Sequence, residues 1–115
     1  EGATLSLLPD ETRVQRFGAD DFALAFARIE CHYFQHKGFF AEDGFILKQA
    51  RLLKGIPGII VQGRYDVVTP PSTAFELARA WPDAELEIVP DAGHTATEAG
   101  IQDALVRATA RFAKV

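Results

Sequence analysis

Cysteine, methionine and long apolar runs are scarce or absent in this chain of 115 residues. Its single cysteine, Cys31, excludes an internal disulfide, so we expect a reducing compartment, the cytoplasm. No apolar stretch reaches membrane-spanning length and no signal peptide is recognisable, so we expect no membrane partner. The chain has no methionine and begins at Glu1, from which we expect a processed product or a fragment of a longer protein.

An excess of positive charge is also absent. The formal net charge is −4 and no run of basic residues occurs, so nucleic acid is not an expected partner. The apolar fraction of 48% is ordinary for one small globular domain or for part of a larger one.

The second half of the chain has the pattern of an α/β protein. Ile59, Ile60 and Val61 are consecutive β-formers, which is typical of a parallel strand covered on both faces. Four elements are predicted: a buried strand over 57–63, a helix over 73–81 with Thr73 and Glu76 in capping-box spacing, an edge strand over 85–89 and a helix over about 100–112. Because two strands do not complete such a sheet, we expect further strands upstream.

The first half is predicted to be mainly helical after an irregular start over residues 1–19. A helix is predicted from Asp20 to about Phe34, with Asp20 or Asp21 as its cap. At 100° per residue, one stripe of this helix is apolar and consists of Phe22, Phe26, Ile29 and Tyr33. A second helical stretch is predicted over 42–53.

Polar side chains suited to catalysis follow both predicted strands. Asp66 comes after the first strand and His94 after the second, and adjacent parallel strands bring both to one edge of the sheet. An aspartate there can hold a histidine in the tautomer whose other nitrogen accepts a proton. The alternative is structural, with Asp66 bonded to its own turn and His94 held in a loop by its neighbours.

Several segments together resemble a known family. They are G-R-Y-D-V-V-T-P (63–70), A-W-P-D-A-E-L (80–86), P-D-A-G-H (90–94), R-I-E-C-H-Y-F (28–34) and G-F-F (38–40). In these segments the chain resembles the prolyl aminopeptidases (proline iminopeptidases) of the α/β-hydrolase superfamily. The resemblance implies an α/β fold that is the C-terminal part of such a hydrolase. Residues 1–53 would belong to its helical cap, and residues 54–115 would hold the last two parallel strands and helices of its core.

The same resemblance assigns catalytic roles and shows one departure. The family's triad runs serine, acid, histidine along the chain, so Asp66 matches the acid and His94 the base. The nucleophile motif G-x-S-x-G is missing, since Ser6 and Ser72 are the only serines and neither lies in it. We interpret both serines as structural, and we expect this chain alone to be inactive.

An acidic residue on the first long helix is the second candidate feature. Glu30 lies at the margin of the aromatic stripe, where a carboxylate is costly without a positive partner. A salt bridge to Arg13, Arg16 or Arg51 is the structural alternative.

In the resembled family, the glutamate of R-x-E-x-H-Y-F binds the free α-amine of the substrate, and Glu30 matches it. Glu1 in E-G-A-T matches a second amine-binding glutamate of the family. Tyr33 and Phe34, with Phe39 and Phe40, are candidates for an apolar wall around a proline ring, although packing is the alternative for them.

The resemblance implies a serine exopeptidase that releases N-terminal proline from peptides, without a cofactor. We expect no metal site, because Cys31, His32 and His36 lack a convincing ligand spacing. Expected partners are a peptide with N-terminal proline and either the missing N-terminal part of the protein or a second copy. Two alternatives remain: another α/β-hydrolase (an esterase, epoxide hydrolase or amidase), or a non-catalytic fragment.

Overall fold

The computed structural model describes residues 2–113 of the chain. Its elements are, in order, α1 (Glu11–Gly18), α2 (Asp20–Gln35), a 3₁₀ turn (Lys37–Phe39), α3 (Phe45–Gln49), a second 3₁₀ turn (Ala50–Leu53), β1 (Gly58–Gly63), α4 (Pro71–Ala80), β2 (Ala84–Val89) and α5 (Ala99–Phe112). The predicted α/β class is confirmed, with helices preceding a strand, helix, strand, helix unit.

The two strands form a parallel sheet. The register runs from Gly58 opposite Ala84 to Gly63 opposite Val89. A Cβ atom on Gly58 would lie 2.3 Å from the Trp81 ring, so the glycine lets this ring pack against the start of β1. The β-formers of β1 are half-buried rather than fully buried, because within the described residues β1 has only β2 as a neighbouring strand.

Helices cover both faces of this sheet. On one face, Val89, Ala92, Ile101 and Ala104 form the buried core, and Val61 packs against it, which places α5 on that side. On the other face, the side chains that line a shared hollow come from α3, β1 and α4, among them Leu47, Ile60, Gln62, Ala74 and Leu77. Successive residues of β1 therefore alternate between the two helical layers, as a strand requires.

Two predictions for the helical half are wrong. The stretch predicted to be irregular contains α1, whose N-cap is Asp10, with its carboxylate accepting a hydrogen bond from the Arg13 backbone N–H at 3.0 Å. Helix α2 has Ala19 as its N-cap without a side-chain hydrogen bond, so neither Asp20 nor Asp21 caps it. Both aspartates lie in the first turn, where their charge still favours the positive end of the helix dipole.

Two further boundaries differ from the prediction. The stretch predicted as one helix over 42–53 is the short α3 followed by a 3₁₀ turn. Helix α4 begins at Pro71, and Thr73 Oγ1 donates to the Pro70 carbonyl at 2.8 Å, so the predicted capping box is not formed. Proline at the first helical position explains the earlier start, since its fixed φ suits a helix and its missing N–H is not needed there.

The aromatic stripe of α2 is better covered in its first half than in its second. Phe17 of α1 contacts Phe22 and Phe26 edge-on, with ring centroids 5.0 and 5.4 Å apart. Farther along, Ile29 is 63% exposed and Tyr33 is 53% exposed. Among the described residues, no helix combines the length and the apolar character needed to cross a bilayer.

Candidate active site

Asp66 lies just beyond the carboxyl end of β1 and is buried, with 7% of its surface exposed. Its Oδ1 atom accepts hydrogen bonds from the backbone N–H groups of Val68, at 2.9 Å, and Thr69, at 2.8 Å. These bonds close the turn after the strand, as expected for a turn aspartate. One carboxylate oxygen, Oδ1, thus has the structural role of a turn aspartate. The other, Oδ2, is left for further partners.

The second carboxylate oxygen faces His94. Oδ2 of Asp66 lies 2.9 Å from Nδ1 of His94, within hydrogen-bonding distance. The backbone N–H of His94 donates to the Leu5 carbonyl at 2.8 Å, and the N–H of Gly93 donates to the Glu98 carboxylate at 2.8 Å. These two bonds fix the loop, so the imidazole is held against Asp66 while about a third of its side chain (34%) stays exposed.

The two strand ends approach each other unusually closely. A Cβ atom on Gly63 would lie 1.9 Å from the carbonyl oxygen of Gly93 and 2.7 Å from that of Ala92. Only glycine permits this contact, because any side chain there would collide with backbone atoms. Tyr65 N–H then donates to the Ala92 carbonyl at 3.0 Å, which ties the Asp66 turn to the His94 loop.

Gln62 and Thr69, which the sequence analysis did not identify, also contact Asp66. Thr69 Oγ1 donates to Oδ2 of Asp66 at 2.9 Å and lies 3.2 Å from Nδ1 of His94. The buried Gln62 has its Nε2 atom 3.2 Å from the same Oδ2. One signal was present in the sequence: Gln62 is the single polar side chain in the strand G-I-I-V-Q-G.

The hydrogen bonds to Asp66 determine its ionisation. Burial alone raises the pKa of this carboxyl group, but the Thr69 backbone N–H, the His94 side chain, the Thr69 hydroxyl and the Val68 N–H all favour the carboxylate. Together they outweigh burial and hold the pKa of Asp66 below its ordinary value. The group facing His94 is therefore an anion at neutral pH.

This charge favours one arrangement of protons on His94. A carboxylate only accepts hydrogen bonds, so the contact is attractive when Nδ1 carries the proton. Nε2 is then the nitrogen that can take up a proton, and no described residue forms a hydrogen bond with it. Asp91, another acidic side chain near this loop, is exposed and forms no hydrogen bond with His94.

Both serines have positions that fit the structural interpretation. The Ser6 hydroxyl donates to the Leu8 carbonyl at 2.8 Å and accepts from Nη1 of Arg13 at 2.7 Å. Ser72 is exposed in the first turn of α4.

Three of the predicted amine-binding and ring-binding residues belong to α2, whereas Asp66 and His94 follow the two strands. Glu30 is half-buried in α2, where Tyr33 and Phe34 are exposed, and among the described elements α2 contacts only α1 and the 3₁₀ turn that follows it. Glu1 lies outside the described residues, so all four binding assignments stay predictions.

Two of the residues considered above as metal ligands, His32 and His36, form an aromatic group at the end of α2 together with Phe39. The His32 and His36 rings lie 4.7 Å apart between centroids, and His36 stacks on Phe39 at 5.1 Å. In the part of the chain that the structure describes, no three His, Cys, Asp or Glu side chains are grouped to hold a metal ion. Cys31 is exposed beside them.

Comparison with known proteins identifies related sequences. An α/β-hydrolase family model described as "TAP-like protein" matches residues 27–113. A "Probable proline iminopeptidase" of Leptolyngbya boryana is 52% identical over 112 residues, which are 97% of this chain and 35% of that protein. A "Proline iminopeptidase" of Xanthomonas citri is 52% identical, covering 98% of this chain and 36% of the relative. A "Proline iminopeptidase" of Arabidopsis thaliana is 50% identical, covering 97% of this chain and 30% of the relative. The chain thus spans about a third of the length of these relatives.

Proposed function

The chain belongs to the TAP-like protein family of α/β-hydrolases, and on this premise we propose that it supplies the acid and the base of a serine peptidase that releases N-terminal proline. The observation that carries the proposal is the 2.9 Å approach of Asp66 Oδ2 and His94 Nδ1 at the ends of adjacent parallel strands. The relatives named proline iminopeptidase support the choice of substrate.

The proposed reaction is acyl transfer. A serine outside residues 1–115 attacks the carbonyl carbon of the N-terminal proline, and Nε2 of His94 takes the serine proton. His94 then gives this proton to the leaving amine, and water hydrolyses the acyl-enzyme with the same base. Asp66 keeps the proton of the neutral imidazole on Nδ1 and stabilises the imidazolium that forms in each step.

Two glutamates of the chain would select for peptides that have a free N-terminus. An N-terminal proline carries a secondary ammonium group, whereas a proline inside a peptide has neither the charge nor an N–H. At about 4 Å, one carboxylate contributes on the order of 4 kcal/mol of Coulomb energy at an effective dielectric constant of about 20. We assign this contact to Glu30 and a second one to Glu1. Tyr33 and Phe34 then provide apolar surface for the pyrrolidine ring.

The proposal extends to domain organisation and partners. Residues 1–53 would form part of the helical cap and residues 54–115 part of the catalytic core. The chain contains no G-x-S-x-G, so the nucleophile would come from the rest of the protein, and the chain alone would be inactive. A cytoplasmic location stays a prediction, based on a single cysteine that is exposed and free.

The test uses the full-length protein that contains this chain. Release of proline from a prolyl peptide is compared with hydrolysis of the same peptide acetylated on its proline nitrogen, with His94→Ala as the catalytic control. The proposal expects release from the free peptide, little from the acetylated one and none with His94→Ala. Equal hydrolysis of both peptides would instead favour a general amidase, and failure of both would contradict a peptidase.

A further inference from the structure

The hydroxyl of Thr69 touches both members of the acid–base pair. Its Oγ1 atom is 2.9 Å from Oδ2 of Asp66 and 3.2 Å from Nδ1 of His94. With the 2.9 Å contact between Oδ2 and Nδ1, these three polar atoms form a closed triangle. Each of its sides is short enough for a hydrogen bond.

The protons available to this triangle fix its arrangement. Carboxylate Oδ2 has none, so the Oγ1 proton points to Oδ2 and the Nδ1 proton is shared between Oδ2 and a lone pair of Oγ1. If Nδ1 were unprotonated, its lone pair would face the carboxylate across 2.9 Å, which is repulsive. The triangle therefore favours the tautomer in which Nε2 is the proton acceptor.

The backbone of Thr69 is held on both sides. Its N–H donates to Oδ1 of Asp66 at 2.8 Å, and its carbonyl accepts from Nε2 of Gln62 at 3.2 Å. Pro70 follows directly and restricts the chain before α4 begins. The hydroxyl is thus fixed in place before any substrate binds, which is what a positioning group requires.

We propose that Thr69 is a positioning residue whose hydroxyl holds Asp66 and His94 in the productive arrangement. The inference rests on the proposed function, since it concerns the same acid–base pair. When His94 takes up a proton, Oγ1 remains a second acceptor for Nδ1–H and shares the stabilisation of the imidazolium with Asp66. Because the hydroxyl faces the pair, its effect is expected in kcat rather than in KM.

Thr69→Val in the full-length protein isolates the hydroxyl. Valine keeps the branched shape and the backbone N–H that closes the Asp66 turn, and loses only Oγ1. We expect kcat to fall about tenfold, the effect of one hydrogen bond, with KM changed less than about twofold. Thr69→Ser should restore most of kcat. Thr73→Val is the matched control, because the Thr73 hydroxyl donates to the Pro70 carbonyl and does not touch the pair.

A second readout does not depend on turnover. The Nδ1 proton of a histidine bound to a carboxylate resonates far downfield in proton NMR, and in Thr69→Val it should shift and exchange faster with water. Thr69→Ala serves as a second hydroxyl-free variant if the valine protein does not fold.

The outcomes separate this inference from the proposed function. Wild-type kcat and an unchanged Nδ1 signal in Thr69→Val would overturn the role of Thr69, while proline release abolished by His94→Ala would still support the peptidase. A fall in kcat that Thr69→Ser does not reverse would also overturn it. If the wild-type protein releases no proline, the proposed function fails, and the NMR comparison still decides whether Thr69 holds the pair.

Discussion

Oδ2 of Asp66 lies 2.9 Å from Nδ1 of His94, although 28 residues separate them along the chain. Two parallel strands that end at the same edge bring these side chains together, and Gly63 lets the two following loops touch. This contact places a buried anion against a partly exposed imidazole, the arrangement that a histidine base requires.

The first prediction concerns the identity of the acid. In the full-length protein, Asp66→Asn should lower kcat by about 10,000-fold, because an amide no longer holds the proton of the neutral imidazole on Nδ1. Asp91→Asn is the control, since Asp91 is exposed and forms no hydrogen bond with His94. Steady-state kinetics on a prolyl amide substrate measure both variants. The reverse ranking, with Asp91→Asn inactive and Asp66→Asn active, would assign the acid role to Asp91.

The second prediction concerns stability in acid. The pKa of Asp66 is lowered in the folded state, so its carboxylate stabilises the fold above the ordinary aspartate pKa of about 3.9. This contribution is lost as the pH falls through the lower, folded-state pKa. The free energy of unfolding, measured with urea between pH 6 and pH 2.5, should therefore drop less steeply below about pH 4 in Asp66→Asn than in the wild type. Identical slopes would show that the hydrogen bonds to Asp66 do not favour its charged form.

The third prediction concerns the contact between the strand ends. Gly63→Ala would place a Cβ atom 1.9 Å from the Gly93 carbonyl oxygen, so the His94 loop must move. We expect the free energy of unfolding to fall by about 1–3 kcal/mol or more, together with a loss of activity. Gly18→Ala is the matched control, because a Cβ atom on Gly18 meets no atom within 4 Å. If both variants unfold at the same urea concentration, the close approach is not required.

The sequence predicted the parts of the fold that depend on local pattern. The strands β1 and β2 and the helices α2 and α5 follow from apolar periodicity, and the parallel pairing follows from their order. Helix α1 was missed because an apolar run ending at Pro9 resembles a loop, although Asp10 supplies a cap. The capping box at Thr73 was wrong because Pro71 starts α4 earlier.

The site residues that directly follow the two strands could be predicted from the sequence. Asp66 and His94 follow the two strands, so their proximity follows from topology alone. Thr69 and Gln62 were not identified, because their hydrogen bonds to Asp66 depend on how the turn folds back over the strand end. The hydrogen bond between the Leu5 carbonyl and the His94 N–H could not be predicted either, since no local pattern links the start of the chain to that loop.

The fourth prediction concerns association. Within the described residues β1 pairs only with β2, so its other edge presents unpaired backbone groups. Nearby apolar side chains are exposed as well; Ile46 is 55% exposed and Val67 is 70% exposed. We therefore expect the chain of residues 1–115 to self-associate in sedimentation equilibrium when purified alone, and to bind the rest of the protein when that part is added. A monomer that melts in one sharp two-state transition would contradict this.

The central claim is that this chain is part of a peptidase that recognises the free amine of an N-terminal proline. Glu30→Gln in the full-length protein tests it most directly, because it removes one charge and keeps the shape. Hydrolysis of a prolyl amide is compared with that of a neutral ester without an amine, and Glu11→Gln, on the exposed first turn of α1, is the control. The account predicts that kcat/KM for the amide falls about 10- to 100-fold, while the ester rate and both rates of the control stay unchanged. An equal loss on amide and ester in Glu30→Gln would contradict the account, because Glu30 would then support the fold rather than bind the substrate amine.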